Sequence, residues 1–269
     1  MAGIIIATAV VAVVGILIGV ALVIMGKKFY VEVDEREVAV REALPGNNCG
    51  ACGFAGCDAL AAAIAKGEAP VNGCPVGGQA VADAVGEIMG VSADAAAKKV
   101  AFVRCNGSCE NTKKNSNYIG IQDCRSAQSS GINMWNCEFG CTGLGSCTKV
   151  CPENAIRVVD GVAVVDPESC IGCGLCAKAC PKKLIELVPY EQKVFVRCMN
   201  TDRGPAVKKN CGVGCIACRL CTKQCQDDAI HVDNNIAHID YEKCTNCGKC
   251  AAKCPQKSIL DKADRGEAS

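Results

Sequence analysis

The chain has 269 residues, 25 of them cysteine, with 28 glycines and only 10 aromatic side chains. So little aromatic bulk cannot build several large apolar cores, and small modules of this kind need covalent or metal staples. A net charge of +1 argues against a nucleic-acid binder, and two histidines exclude His-rich metal sites. No Cys-x-x-Cys is followed by His, which excludes c-type haem attachment.

Ile4 to Met25 carries no charge and no proline over 22 residues, long enough to span a bilayer as one helix. The run exceeds the apolar core of a signal peptide, and no Lys or Arg precedes it. Lys27 and Lys28 follow at once, with Arg36 and Arg41 behind them, which places the rest of the chain in the cytoplasm. The expectation is a single-pass protein of the inner (cytoplasmic) membrane, with residues 1–26 as anchor. Gly15 and Gly19 give the spacing that lets another helix pack closely, although glycine is common in transmembrane helices generally. Structural disulfides are rare in a reducing compartment, and an odd cysteine count cannot pair completely. Zinc or iron–sulfur clusters remain.

Residues 27–45 alternate apolar and acidic side chains and read as a juxtamembrane connector closed by Pro45-Gly46. Residues 46–100 form a small helical module with Cys49, Cys52, Cys57 and Cys74. The first three lie in a Gly-rich loop whose backbone can wrap a ligand and point amides at it. A short helix should follow, with Leu60 and Ile64 on one face and Gly67 past its end. A second is expected over roughly Gln79–Met89, and Ser92 would cap a third. Residues 101–136 hold Cys105, Cys109 and Cys124 with few apolar anchors and read as a loop ordered only by a ligand.

Cysteines 137, 141, 147, 151, 170, 173, 176 and 180 recur at 211, 215, 221, 225, 244, 247, 250 and 254, every offset being 74. Two copies of one module are therefore expected, at 137–190 and 191–262, before a polar tail at 263–269. Each copy reads as loop, strand, turn (Asp160-Gly161; Asn234-Asn235), strand, short helix and strand. The class is α+β. A second echo sets Phe102-Val-Arg-Cys105 against Phe195-Val-Arg-Cys198.

Cys170, Cys173, Cys176 and Cys180 before Pro181 form the bacterial ferredoxin run, and Cys244, Cys247, Cys250 and Cys254 before Pro255 repeat it. Cys215, Cys218, Cys221 and Cys225 give it again, with Gln226 in place of the proline. Three thiolates two residues apart grip one four-iron cluster, and the fourth reaches the neighbouring cluster. Zinc knuckles use separated Cys pairs instead. The rule assigns Cys151, Cys170, Cys173 and Cys176 to one 4Fe-4S cluster, and Cys141, Cys147 and Cys180 to its neighbour. Leu144 stands where the second copy has Cys218, so Cys137 is the nearest substitute ligand. In the second copy Cys225, Cys244, Cys247 and Cys250 form one set, and Cys215, Cys218, Cys221 and Cys254 the other. Five clusters result. Cys105, Cys109, Cys124, Cys198 and Cys211 remain, either as buried thiols or around a sixth cluster. Its core would be Cys105, Cys109 and Cys124, with Cys198 or Cys211 as the fourth.

His231 and His238 read as surface strand residues and Trp135 as a packing anchor. The pairs Lys113-Lys114, Lys182-Lys183 and Lys208-Lys209 are solvated surface or a docking face for an acidic carrier. No phosphate- or dinucleotide-binding motif is present.

An apolar N-terminal helix, LPGNNCGACGFAGC, NGCPVGG and tandem ferredoxin runs together resemble the B subunit of the Rnf complex family, the ion-translocating ferredoxin:NAD oxidoreductases of prokaryotic membranes. The likeness is to the longer, polyferredoxin-bearing form. It implies a subunit without catalytic residues of its own that takes electrons from reduced soluble ferredoxin and passes them to membrane subunits of a translocase. A polyferredoxin subunit of another membrane oxidoreductase, such as a hydrogenase, and a zinc-binding scaffold are the alternatives.

Overall fold

The computed structural model describes residues 2–28, 34–92 and 98–261. Helix α1 (Ala2–Lys28) carries the apolar run. Its large side chains from Val13 to Met25 are exposed wherever they are described. Among the described residues no helix is long and apolar enough to cross a membrane.

The N-terminal module is three helices: α2 (Glu35–Ala43), α3 (Cys57–Ala65) and α4 (Gly78–Met89). Within the stretch expected to be a connector, Glu35–Ala43 forms α2. Its Asp34 cap accepts the Arg36 amide at 2.9 Å. Val40 and Leu44 bury against Leu60, Ile64 and Val85, and Arg41 pairs with Asp58 of α3. The alternating pattern misled because Val40 packs on the helical core while Val38, on another face of the same helix, is exposed. Helices α3 and α4 fall where the sequence places them, with Gly67 just past α3 in the left-handed region at φ +76°. A helix capped by Ser92 would fall on residues 93–97, outside the described residues.

Two ferredoxin-like units follow. In the first, β1 (Lys99–Val103) pairs antiparallel with β4 (Ile185–Pro189), and β2 (Ile156–Val159) with β3 (Val162–Val165). In the second, β5 (Val194–Val196) pairs with β8 (Ile259–Asp261), and β6 (Ile230–Asp233) with β7 (Ile236–Ile239). Short helices α6 (Ser146–Lys149) and α7 (Leu175–Ala179) answer to α9 (Leu220–Gln224) and α10 (Lys249–Ala252). Both hairpins turn through two left-handed residues, Asp160-Gly161 and Asn234-Asn235. Residues free to adopt positive φ at both central positions match the twist of the flanking strands.

β1 runs from the end of the stretch assigned to the N-terminal module into the one expected to be a loop. The first unit therefore closes on a strand well before residue 137. Its apolar residues Val100, Ala101, Phe102 and Val103 are all buried in the main core. Helices α5 (Cys124–Ser129) and α8 (Gly204–Asn210) stand between the first strand of each unit and its cysteine runs. The Phe-Val-Arg-Cys echo is offset by 93, not 74, so the first unit holds 19 more residues between Cys105 and Cys137 than the second holds between Cys198 and Cys211.

Candidate metal centres

In the N-terminal module Asn48 sits at φ +47° and its Oδ1 accepts the Cys57 amide at 2.8 Å, pinning the start of α3. A Cβ on Gly56 would crowd that oxygen at 3.0 Å. Cys52, Cys57 and Cys74 pack together on the helical core. Burial raises the Cys74 thiol pKa, and the nearby Cys57 and Cys52 add to the rise.

The ferredoxin units gather their cysteines around five cavities. Cys151, Cys170, Cys173 and Cys176 line one of about 340 Å³. Cys225, Cys244, Cys247 and Cys250 line another of about 340 Å³. Cys215, Cys218, Cys221 and Cys254 line a third of about 330 Å³. These groupings match the spacing rule.

The fourth differs. Cys141, Cys147 and Cys180 share a cavity of about 410 Å³ with Cys124, and Cys137 is not on its wall. Cys124 opens α5, and its amide donates to Ser146 Oγ at 2.6 Å while that hydroxyl donates to Asp123 Oδ2 at 2.7 Å. This relay clamps the longer loop of the first unit onto α6, beside Cys147. The longer loop thus brings a thiol to the site where Leu144 supplies none. The difference between the 93 and 74 offsets was the sequence signal for it. The fifth cavity, also about 410 Å³, is lined by Cys105, Cys137, Cys198 and Cys211, and also by Cys141, which lines the fourth as well. Cys109 lines none of these cavities; it is exposed, and its amide donates to Asp160 O at 2.9 Å.

The cysteine sulfurs accept hydrogen bonds from fixed donors. Ala101 N reaches Cys170 Sγ at 3.4 Å, Leu184 N reaches Cys180 Sγ at 3.4 Å, and Ala229 N reaches Cys225 Sγ at 3.2 Å. Gln192 Nε2 reaches Cys244 Sγ at 3.3 Å. Burial pushes the thiols of Cys141, Cys176 and Cys198 up to about 12 and that of Cys147 to about 11. Among the described residues, no three Cys, His, Asp or Glu side chains converge closely enough to hold a single metal ion. Four cysteines lining one cavity suit a polynuclear iron–sulfur group held by thiolates.

A family model for an Fe-S cluster domain matches residues 44–76, and one for a 4Fe-4S binding domain matches residues 163–186 and 237–260. The chain is 46% identical to the B subunit of the Na(+)-translocating ferredoxin:NAD(+) oxidoreductase complex of Acetobacterium woodii, over 95% of this chain and 77% of that protein. It is 44% identical to the B subunit of the ion-translocating oxidoreductase complex of Methanosarcina acetivorans, over 93% of this chain and 96% of the relative. It is 40% identical to the B subunit of the proton-translocating ferredoxin:NAD(+) oxidoreductase complex of Clostridium ljungdahlii, over 93% and 89%.

The chain belongs to the family of B subunits of ion-translocating oxidoreductase complexes. As a member of this family it is an iron–sulfur electron-transfer component of a multi-subunit redox complex.

The remaining expected features are distributed as follows. Lys182 Nζ donates to the carbonyls of Glu138 (2.7 Å) and Gly140 (2.9 Å), so it holds a cysteine loop and is not a free docking charge. His238 is half-buried, with Nδ1 at 3.4 Å from Arg104 Nη2, and is not a surface residue as expected. His231 is exposed. Trp135 packs against Gly161 and also lines the fifth cavity.

Proposed function

We propose that this chain is a membrane-anchored relay, taking electrons from a soluble ferredoxin and passing them to membrane subunits of an ion-translocating ferredoxin:NAD oxidoreductase. Five ligand sets for 4Fe-4S clusters support it: Cys49, Cys52, Cys57 and Cys74; Cys151, Cys170, Cys173 and Cys176; Cys124, Cys141, Cys147 and Cys180; Cys215, Cys218, Cys221 and Cys254; Cys225, Cys244, Cys247 and Cys250. A 4Fe-4S cluster supplies a one-electron carrier. The thiolates fix where along the molecule each carrier would lie.

One observation carries the relay reading: the sets are neighbours in series. The Cys173 thiol is raised first by burial, and the charges of Cys49, Cys151 and Cys170 add to the rise, which supports a place for the N-terminal set near the first ferredoxin-like unit. Cys147 is raised by burial and then by Cys124, Cys180 and Cys176, which joins the two sets of that unit.

We place the anchor in α1. At about 1.5 Å per residue its 27 residues extend about 40 Å, against a hydrocarbon core of about 30 Å. Its exposed apolar side chains need a cover that no other described element provides. Because the N-terminal set follows the anchor in the chain, it is the point of exit to the membrane partners. Replacing Cys57 by Ala in the intact complex should leave the distal sites reducible by ferredoxin, seen by electron paramagnetic resonance, while NAD reduction stops. NAD reduction at the parent rate would reject the relay order.

A further inference from the structure

The fifth cavity belongs to neither ferredoxin-like unit alone. Cys105 follows β1 of the first unit and Cys198 follows β5 of the second, each as the last residue of Phe-Val-Arg-Cys. Cys137 and Cys211 are related by the 74-residue repeat. All four are buried, at 6, 8, 7 and 7% exposure. We infer that Cys105, Cys137, Cys198 and Cys211 hold a further 4Fe-4S cluster in the seam between the units, two thiolates coming from each.

The seam is built for acceptors at those sulfurs. Cys141 N donates to Cys105 Sγ at 3.4 Å, and its repeat partner Cys215 N donates to Cys198 Sγ at 3.3 Å. Two further donors cross between units: Thr112 Oγ1 of the first reaches Cys211 Sγ of the second, and Asn200 Nδ2 of the second reaches Cys137 Sγ of the first, both at 3.6 Å. Thr112 and Asn200 are only 3% and 2% exposed, and buried polar groups are kept where they are satisfied. Trp135 adds an independent sign. Its indole Nε1 is buried on the wall of this cavity and has no acceptor among the described residues. An unmade hydrogen bond of this kind is unfavourable, and the sulfurs of a bound cluster would supply the missing acceptor.

Gly107 shows how close the packing is. A Cβ there would meet Thr112 Oγ1 at 2.7 Å and the Cys211 and Cys105 sulfurs at 3.6 and 3.7 Å. The neighbouring sets lie on either side. Cys141, of the set completed by Cys124, borders the seam cavity, and Cys198 and Cys215 lie within charge range of each other. The seam set is therefore the link between the two halves of the relay. The residues expected to hold a sixth cluster are redistributed: Cys105 stays, Cys124 serves the first unit, Cys109 serves none, and Cys198 and Cys211 both take part.

This inference rests on the iron–sulfur reading of the other sets. The experiment is native mass spectrometry, with iron and acid-labile sulfide analysis, on the full chain purified anaerobically. The parent should carry six clusters, and the Cys137→Ser/Cys211→Ser variant five, with about four irons fewer. Cys109→Ser should keep six. The seam site is rejected if the double variant keeps the parent count. Should that variant fail to fold, a parent carrying five clusters rejects it alone. A parent with no clusters, or with zinc, overturns the iron–sulfur reading itself.

Discussion

The rings of Phe102 and Phe195 stack with centroids 4.3 Å apart and planes inclined by 20°. Each is the phenylalanine of one Phe-Val-Arg-Cys copy, so the repeat packs its two equivalent positions on each other. The following arginines also cross over. Arg197 Nη2 donates to Cys105 O at 3.1 Å, and Arg104 reaches His238. The two ferredoxin-like units are thus joined back to back through their first strands, with the seam cysteines at the end of that contact.

Replacing Phe195 by Ala removes a ring only 2% exposed from this contact. Truncations of this kind cost about 3–5 kcal/mol. The expected result is earlier loss of visible iron–sulfur absorbance on heating, because the thiolates of both units lose their support. Phe102→Ala, from a less buried site at 8% exposure, should shift the transition less.

Cys124→Ser should empty the set it shares with Cys141, Cys147 and Cys180, a loss of about four irons per chain. Adding Leu144→Cys should restore it, because position 144 is equivalent to Cys218 of the second unit. Iron analysis of the single and double variants decides it. Unchanged iron in Cys124→Ser would contradict the ligand set.

Gly172 lies between Cys170 and Cys173 at φ +68°, and a Cβ there would collide with the Lys99 carbonyl oxygen. Left-handed strain alone costs a non-glycine residue roughly 1–3 kcal/mol, and backbone cannot yield as a side chain does. Gly172→Ala should push β1 away and lower occupancy of the Cys151 set. Asn246→Gly, at the equivalent place in the second unit, should be mild for the left-handed backbone itself. It would lose the side-chain contact with the Lys193 amide at 2.9 Å. Comparing cluster occupancy in the two variants checks this.

His238 has a pKa lowered from 6.5, first by burial and then by the Arg104 guanidinium; Asp233 and Glu186 oppose the shift. Its Nδ1 accepts from Arg104 only while unprotonated. The folded state therefore favours the neutral ring. The stability this provides is present above 6.5 and is lost as pH falls through the lowered folded value. His238→Gln should flatten the fall in thermal stability as pH drops below 6.5. Equal slopes for parent and variant would disprove it.

Arg203, Lys208 and Lys209 lie on and just before α8, beside the second unit. Changing all three to Glu should slow reduction by an acidic ferredoxin at low salt, and the deficit should shrink as salt screens the parent's attraction. Stopped-flow reduction across a salt series measures it, and an unchanged low-salt rate places docking elsewhere.

The sequence by itself determined the parts whose geometry is local. Three cysteines two residues apart lie on one turn, so their shared site follows from spacing, and the 74-residue offset carried it to both units. Asp160-Gly161 and Asn234-Asn235 could only be tight turns, and Leu60 and Ile64 could only mark one face of a helix. Tertiary structure decided what long loops bring together. Cys124 reaches Cys147 because the Asp123–Ser146 relay folds back a loop that the second unit lacks. β1 pairs with β4 across more than 80 residues, a contact that no local pattern encodes. Cys137 left the set its spacing suggested because the stacked phenylalanines bring the other unit's Cys198 and Cys211 to its side. A thiol's partners within a turn are fixed by backbone geometry; its partners across an interface are fixed by which apolar surfaces bury each other.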